Sequence, residues 1–131
     1  KAYPNIRWFS AYTHNNTFSR LWLSAATVDV SAARIEGMPV APLEAMACGL
    51  PVVASDAHGL PEILTNGEAS GGILVPRESP SSIANGLARL RTDATLQHKM
   101  GKVARNQVEH RFSIDAVGAA LDSFLRSGQQ R

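Results

Sequence analysis

Four short apolar runs, separated by stretches of helical periodicity and joined by short polar loops, constrain this chain more than any other feature. The runs are residues 6–9 (Ile-Arg-Trp-Phe), 27–33, 51–54 (Pro-Val-Val-Ala) and 72–75 (Gly-Ile-Leu-Val), the last stopped by Pro76. Each has the length of a strand and is too short for a packed helix. Strand–helix alternation with short connections calls for an α/β fold, a parallel sheet covered by helices. Ligands of such sheets bind beyond the carboxyl ends of the strands. The loops to inspect are therefore 10–16, 34–41 and 55–60.

The intervening stretches carry helix punctuation. Asn15 or Asn16 suits a cap for a helix over 17–25 whose apolar face holds Phe18, Leu21 and Trp22. Pro42 suits a first helical position, where its missing N–H is no loss, and Gly49 suits the position just past the end of the same helix. Three further helices are expected after the fourth run. The first is opened by Ser79 and Pro80 with Ile83, Leu87 and Leu90 on one face. The second follows Asp93 with Leu96, Met100 and Val103, and the third follows Ser113 with Val117, Leu121 and Phe124. Trp8 and Trp22 read as core residues.

Length and composition set limits. At 131 residues, 44% of them hydrophobic, the chain is one domain with material for a core. Its net charge of +2 is too small to drive nucleic-acid binding, which needs a dense row of phosphate contacts. The single cysteine, Cys48, leaves no internal disulfide and suits a reducing compartment, so a cytoplasmic location is expected. In a helix beside Met46 it reads as a small buried hydrophobe. No apolar run approaches the length of a membrane span. The chain opens on Lys1 and runs almost at once into a strand-like segment, which reads as a piece of a longer protein.

Residues 36–49, Glu-Gly-Met-Pro-Val-Ala-Pro-Leu-Glu-Ala-Met-Ala-Cys-Gly, are the most informative stretch. Glu36 falls just past a strand end, a tight loop follows, and Glu44 is expected in the first turn of a helix. The start of a helix offers unpaired N–H groups and partial positive charge, which suit a phosphate. Gly37 lets backbone approach a ligand closely. Carboxylates on either side of an anion site suit a ligand with hydroxyls flanking its phosphates, the layout of a nucleotide sugar. The same residues also admit a structural reading, since a glutamate early in a helix stabilises it without any ligand.

The succession resembles a known family. Glu36 and Glu44, with seven residues between them, look like the E-x7-E motif of retaining glycosyltransferases of the family 4 kind, which have the GT-B fold. The likeness continues through Glu44-Ala45-Met46-Ala47-Cys48-Gly49-Leu50-Pro51-Val52-Val53-Ala54, Gly59-Leu60-Pro61-Glu62-Ile63, Gly67-Glu68, Gly72-Ile73-Leu74-Val75 and Arg111-Phe112-Ser113. It implies a Rossmann-like sheet, the C-terminal donor-binding half of a GT-B enzyme, spanning 1–131, with an N-terminal acceptor domain outside this chain. It implies a nucleotide diphosphate sugar as donor, an acceptor hydroxyl, retention at the anomeric carbon, and no metal or other cofactor. Glu36 would act at the donor sugar. Backbone N–H groups around Gly37 and Met38 would face the sugar, those of Val40 and Ala41 the phosphates, and Glu44 would accept the ribose hydroxyls. The base would lie near 9–12.

The chain departs from the family pattern at Met38-Pro39, where many relatives carry Phe-Gly, and at Ala32-Ala33, where Pro-Ser is common. The family's Arg and Lys on the pyrophosphate precede the first residue here. Peripheral membrane association of the full enzyme, self-association of the fragment, and inactivity of the fragment alone are further expectations. A nucleotide-sugar epimerase of the same architecture, or a non-catalytic module that binds a nucleotide or a partner chain, are the alternatives. His14, His58 and Asp56 are weaker candidates for ligand contact. Ser55 reads as an exposed loop residue with no nucleophile elbow around it, and no ligand spacing suggests a metal site.

Overall fold

In the computed structural model, residues 3–9 and 16–128 are described. The helices and strands run in the order α1 (Asn16–Ala25), β1 (Asp29–Ser31), α2 (Val40–Ala47), β2 (Val52–Ser55), α3 (Leu60–Ile63), β3 (Gly72–Val75), α4 (Pro80–Thr92), α5 (Ala94–Arg111) and α6 (Ile114–Gly128), with a 3₁₀ turn over Gly67–Ser70. The strands are parallel in the order β1-β2-β3, with Val53 opposite Val30 on one side and Ile73 on the other.

The expected strand at 6–9 does not form; those residues are irregular and exposed. Trp8 and Trp22, expected in the core, are exposed as well. Phe9 instead packs on Trp22 with ring centroids 4.7 Å apart. The expected strand at 27–33 shortens to three residues, because an edge strand pairs only where its single neighbour offers a ladder. α1 starts at Asn16, so that residue belongs to the helix rather than capping it, and Asn15 lies outside the described residues.

β2 is buried along its whole length. Its side chains alternate between two clusters, as the pleat requires. Val52 and Ala54 pack with Met46, Ala57, Leu60, Ile63, Leu64 and Ala104 on one face, whereas Val53 meets Leu90 and Met100 on the other. α5 contributes to both, which explains why its apolar residues do not form one tidy stripe. α6 is different. Ile114, Val117, Leu121, Phe124 and Leu125 make an amphipathic face, yet all are exposed and no α6 residue is buried.

Local chemistry sets the helix ends. Asp93 caps α5 by accepting from the Leu96 N–H at 2.8 Å, and Ser113 accepts from the Ala116 N–H at 3.1 Å. Ser79 precedes α4 as expected but bonds the Ser82 hydroxyl rather than a backbone N–H. α2 closes as a Schellman motif: Gly49 adopts φ +80°, its N–H reaches the Met46 carbonyl at 2.9 Å, and the Leu50 N–H reaches the Ala45 carbonyl at 3.1 Å.

Ser55 corrects the sequence reading. It ends β2, is 1% exposed, and its hydroxyl donates to the Ala33 carbonyl at 2.5 Å. This bond ties the end of the edge strand to the central strand and so anchors the start of the 34–39 loop. Removing the hydroxyl leaves a partly buried carbonyl without this partner, a loss of about 1 kcal/mol. Ser55→Ala is therefore expected to lower Tm by several degrees, measured by thermal unfolding followed by circular dichroism, whereas Thr65→Ala, which removes an exposed hydroxyl, is expected to leave it nearly unchanged.

Candidate functional site

The sheet's carboxyl end is built by three loops that lean on one another. Gly59, at φ +83°, lies so close to the 36–39 loop that a side-chain carbon there would sit 1.8 Å from the Gly37 carbonyl oxygen and 2.9 Å from the Pro39 ring. Only glycine permits this contact, and it fixes the loop that carries Glu36. Asp56 holds the third loop: its carboxylate accepts from the Arg77 N–H at 2.8 Å and from the Arg77 side chain at 3.1 Å. It is thus committed to structure. Arg34 and Glu78 pair across the rim at 3.1 Å, both exposed, so the pair contributes little stability. His58 is exposed and lines neither of the recesses described next. His14 lies outside the described residues.

α2 separates two recesses. The smaller, about 200 Å³, lies at its amino end and is lined by Glu36, Pro39, Val40, Ala41 and Pro42 together with Asp29, Val30 and Ser31 of β1. The larger, about 440 Å³, lies alongside its later turns, between Glu44, Ala47 and Cys48 of α2, Ser19, Arg20, Leu23 and Ser24 of α1, and Arg105 of α5. The two carboxylates singled out from sequence therefore do not share one pocket. Glu36 and Glu44 occupy neighbouring recesses with α2 as the common wall. Gly37 and Met38 are exposed on the loop and line neither.

The start of α2 also differs from expectation. The helix begins at Val40 with Pro39 as its cap, so Pro42 stands at the third position and Glu44 in the second turn. The register has a chemical consequence. The four N–H positions that a helix start leaves unpaired fall on residues 39 to 42. Two are prolines and have no N–H. Val40 and Ala41 alone carry the remaining donors, and both line the recess that holds Glu36.

Two features escaped the sequence reading. Asp29 joins Glu36 in the smaller recess; an acidic residue at a strand start gives no local sign of that company. Arg20, Arg105 and Cys48 join Glu44 in the larger one. Cys48 is half-buried rather than fully buried, since it forms part of a recess wall.

The profile of the glycosyl transferases group 1 family matches residues 9–107. The chain belongs to that family. The D-inositol 3-phosphate glycosyltransferase of Streptomyces bingchenggensis is 38% identical over 99 residues, covering 76% of this chain and 21% of its own length. Sucrose-phosphate synthase from Thermosynechococcus elongatus superposes with a TM-score of 0.72 and 32% identity, covering 82% of this chain and 26% of that one. The C-terminal domain of a group 1 family glycosyl transferase from Francisella tularensis gives 0.70 and 29%, covering 79% and 52%. The fold is accordingly the Rossmann-like C-terminal half of a GT-B architecture, in part. The chain spans about a fifth to a quarter of the full-length relatives. Among its described residues no helix is long and apolar enough to cross a membrane.

Asp29 gives the smaller recess a pH signature. Burial raises its carboxyl above the ordinary 3.8, against an opposing hydrogen bond from the Val30 backbone. A raised value means that the folded protein holds the proton more tightly than the unfolded chain. The stability associated with this group is full below 3.8 and is lost as pH rises through the raised value. Asp29→Asn, which removes the partly buried charge, is expected to raise Tm near pH ~7 and to give no gain once both chains carry a neutral side chain in acid. Thermal unfolding across that pH range checks it; an equal gain at every pH would contradict it.

Proposed function

We propose that this chain is the donor-binding part of a retaining glycosyltransferase that moves a sugar from a nucleotide diphosphate sugar to an acceptor hydroxyl. One observation carries the reading: two unequal recesses share the wall of α2, each with one carboxylate, and the unpaired N–H groups of Val40 and Ala41 lie at the end of that wall. A nucleotide sugar has matching parts in the same order. The diphosphate meets the amino end of α2, where the helix dipole and two N–H donors favour negative charge. The sugar enters the smaller recess beside Glu36, under the Gly37 and Met38 backbone, and the nucleoside enters the larger one, where Glu44 accepts the ribose hydroxyls.

The chemistry follows from the leaving group. Breaking the bond between the anomeric carbon and the diphosphate oxygen builds positive character on the sugar and negative charge on the phosphate. Donors already aimed at that phosphate lower the barrier because they need no reorganisation when the charge appears. Glu36 orients the sugar through a hydroxyl, so that the acceptor oxygen forms its bond on the face from which the phosphate departs, and the acceptor's hydroxyl proton passes to the departing diphosphate oxygen. No metal or other cofactor enters this scheme. The acceptor, its binding domain and the remaining pyrophosphate contacts belong to the full-length enzyme, which would work in the cytoplasm, peripherally on a membrane where the acceptor is a lipid. The fragment alone would be inactive and bind nucleotide weakly.

In the full-length enzyme, Glu36→Ala is expected to cut turnover about tenfold or more, as for loss of an interaction made in the transition state, with a smaller change in nucleotide affinity. Glu44→Ala is expected to do the reverse, weakening nucleotide binding most. Steady-state kinetics with titration of a nucleoside diphosphate separate the two effects. Unchanged turnover in the Glu36 variant would remove it from the site.

The exposed apolar residues of α1 and α6, and β1, which pairs on one side only among the described residues, suggest surfaces that the rest of the enzyme covers. The isolated chain is expected to self-associate as its concentration rises. Light scattering that finds a monomer over a hundredfold range of concentration, on the order of the span needed to see micromolar association, would contradict this.

A further inference from the structure

The loop from β1 to α2 carries its aliphatic side chains on the outside. Ile35 is 88% exposed, Val40 62% and Met38 50%, and along the chain they stand on either side of Glu36. They cannot turn inward, because the loop is held at three points. The Ser55 hydroxyl holds the Ala33 carbonyl, the Gly37 carbonyl lies against Gly59, and Pro39 caps α2. The exposed apolar residues of α1 and α6 follow helix faces, whereas these stand at the carboxyl end of the sheet, where ligands bind. Gly37 lies among them without a structural need of its own. Its φ is outside the left-handed region, and an added side-chain carbon would meet nothing within 4 Å. The space over the loop is open there.

Same-face transfer fixes where the acceptor stands. In the reading given above, the diphosphate departs toward the N–H groups of Val40 and Ala41, and the acceptor oxygen arrives on that same face of the sugar. The acceptor's body then lies against the outside of the 35–40 loop. We propose that this loop is the acceptor platform, and that it selects a hydroxyl borne on or beside an aliphatic chain, a lipid-type amphiphile, over a polyhydroxylated or phosphorylated acceptor. The inference rests on the reading of α2's amino end as the donor site. Residues 31–42 include no aromatic ring on which a flat sugar or aryl face could stack. The rim's arginines are engaged, Arg34 with Glu78 and Arg77 with Asp56, each at 3.1 Å, so neither offers a bare charge to an acidic acceptor. What the loop does offer is aliphatic surface already in water, whose burial under an alkyl chain is favourable.

The test is titration of the full-length enzyme, with GDP, UDP or ADP present, using n-octyl β-glucoside below its micelle concentration and methyl β-glucoside. The two probes carry the same sugar and differ in the chain. Affinity is one readout. The other is the Met38 methyl signal in protein labelled with ¹³C-methyl methionine, identified by its loss in Met38→Leu. The parent is expected to bind the octyl glycoside about tenfold or more tightly than the methyl one, and to shift the Met38 signal only with the former. Ile35→Ser changes a side chain so exposed that the fold does not depend on it. It is expected to weaken the octyl glycoside about tenfold, the scale of two lost methylene contacts, while each nucleotide stays within about twofold of the parent. Equal binding of the two glycosides, an unmoved Met38 signal, or an Ile35→Ser variant that binds the octyl glycoside like the parent overturns the proposal. So does an equal loss of glycosides and nucleotides in Ile35→Ser, which would make the loop a contact with another domain of the enzyme. If Glu44→Ala binds every nucleotide as the parent does, it is the donor reading that fails, a result separate from any of these.

Discussion

Burial of β2 on both faces is the constraint from which the other elements take their places. Val52 and Ala54 need one apolar layer, Val53 another, and α2, α3, α4 and α5 supply them. A parallel strand covered on both sides cannot present function along its length, so function is pushed to its end. There Ser55 ties β2 to the end of β1, Asp56 ties it to the loop after β3, and Gly59 gives the 36–39 loop a surface with no side chain in the way. Glu36 is positioned by backbone packing rather than by any partner of its own.

α2 divides the labour. Its amino end provides a place for negative charge, and its two proline positions limit the donors to Val40 and Ala41. Its flank provides the wall of a second recess. One eight-residue helix thereby faces two chemically different spaces, a small one with two carboxylates and a larger one with a carboxylate and two arginines. A ligand with polar parts on both sides of a diphosphate fits that arrangement better than a compact one. The short helix needs no intrinsic stability for this, because its buried Pro42, Ala45 and Met46 hold it against the sheet and its Schellman turn fixes the exit.

Sequence and structure agree where local chemistry decides. The strand at Gly72–Val75 has the bounds read from sequence, because a four-residue apolar run before a proline leaves few alternatives. Asp93, Ser113 and Gly49 act at helix ends as their side chains and backbone preferences dictate. The α/β class follows from alternation alone. The disagreements share a cause. The run at 6–9 has strand-like composition but no neighbouring strand among the described residues, and Trp8 and Trp22 stay exposed, so apolar character did not become burial. Ser55 went the other way: a polar residue fully enclosed because it ends the central strand.

By itself the sequence determined the order of elements, the parallel sheet and the spacing of Glu36 and Glu44 around one helix start, because strand length, caps and helix periodicity are properties of neighbouring residues. Only the tertiary structure decided that these glutamates open into different recesses, that Asp29 stands beside the first, and that Arg20 faces the second. Those facts depend on how α1, α2 and β1 cross in space. No local preference encodes that crossing; it is fixed by the two apolar layers that must close over β2.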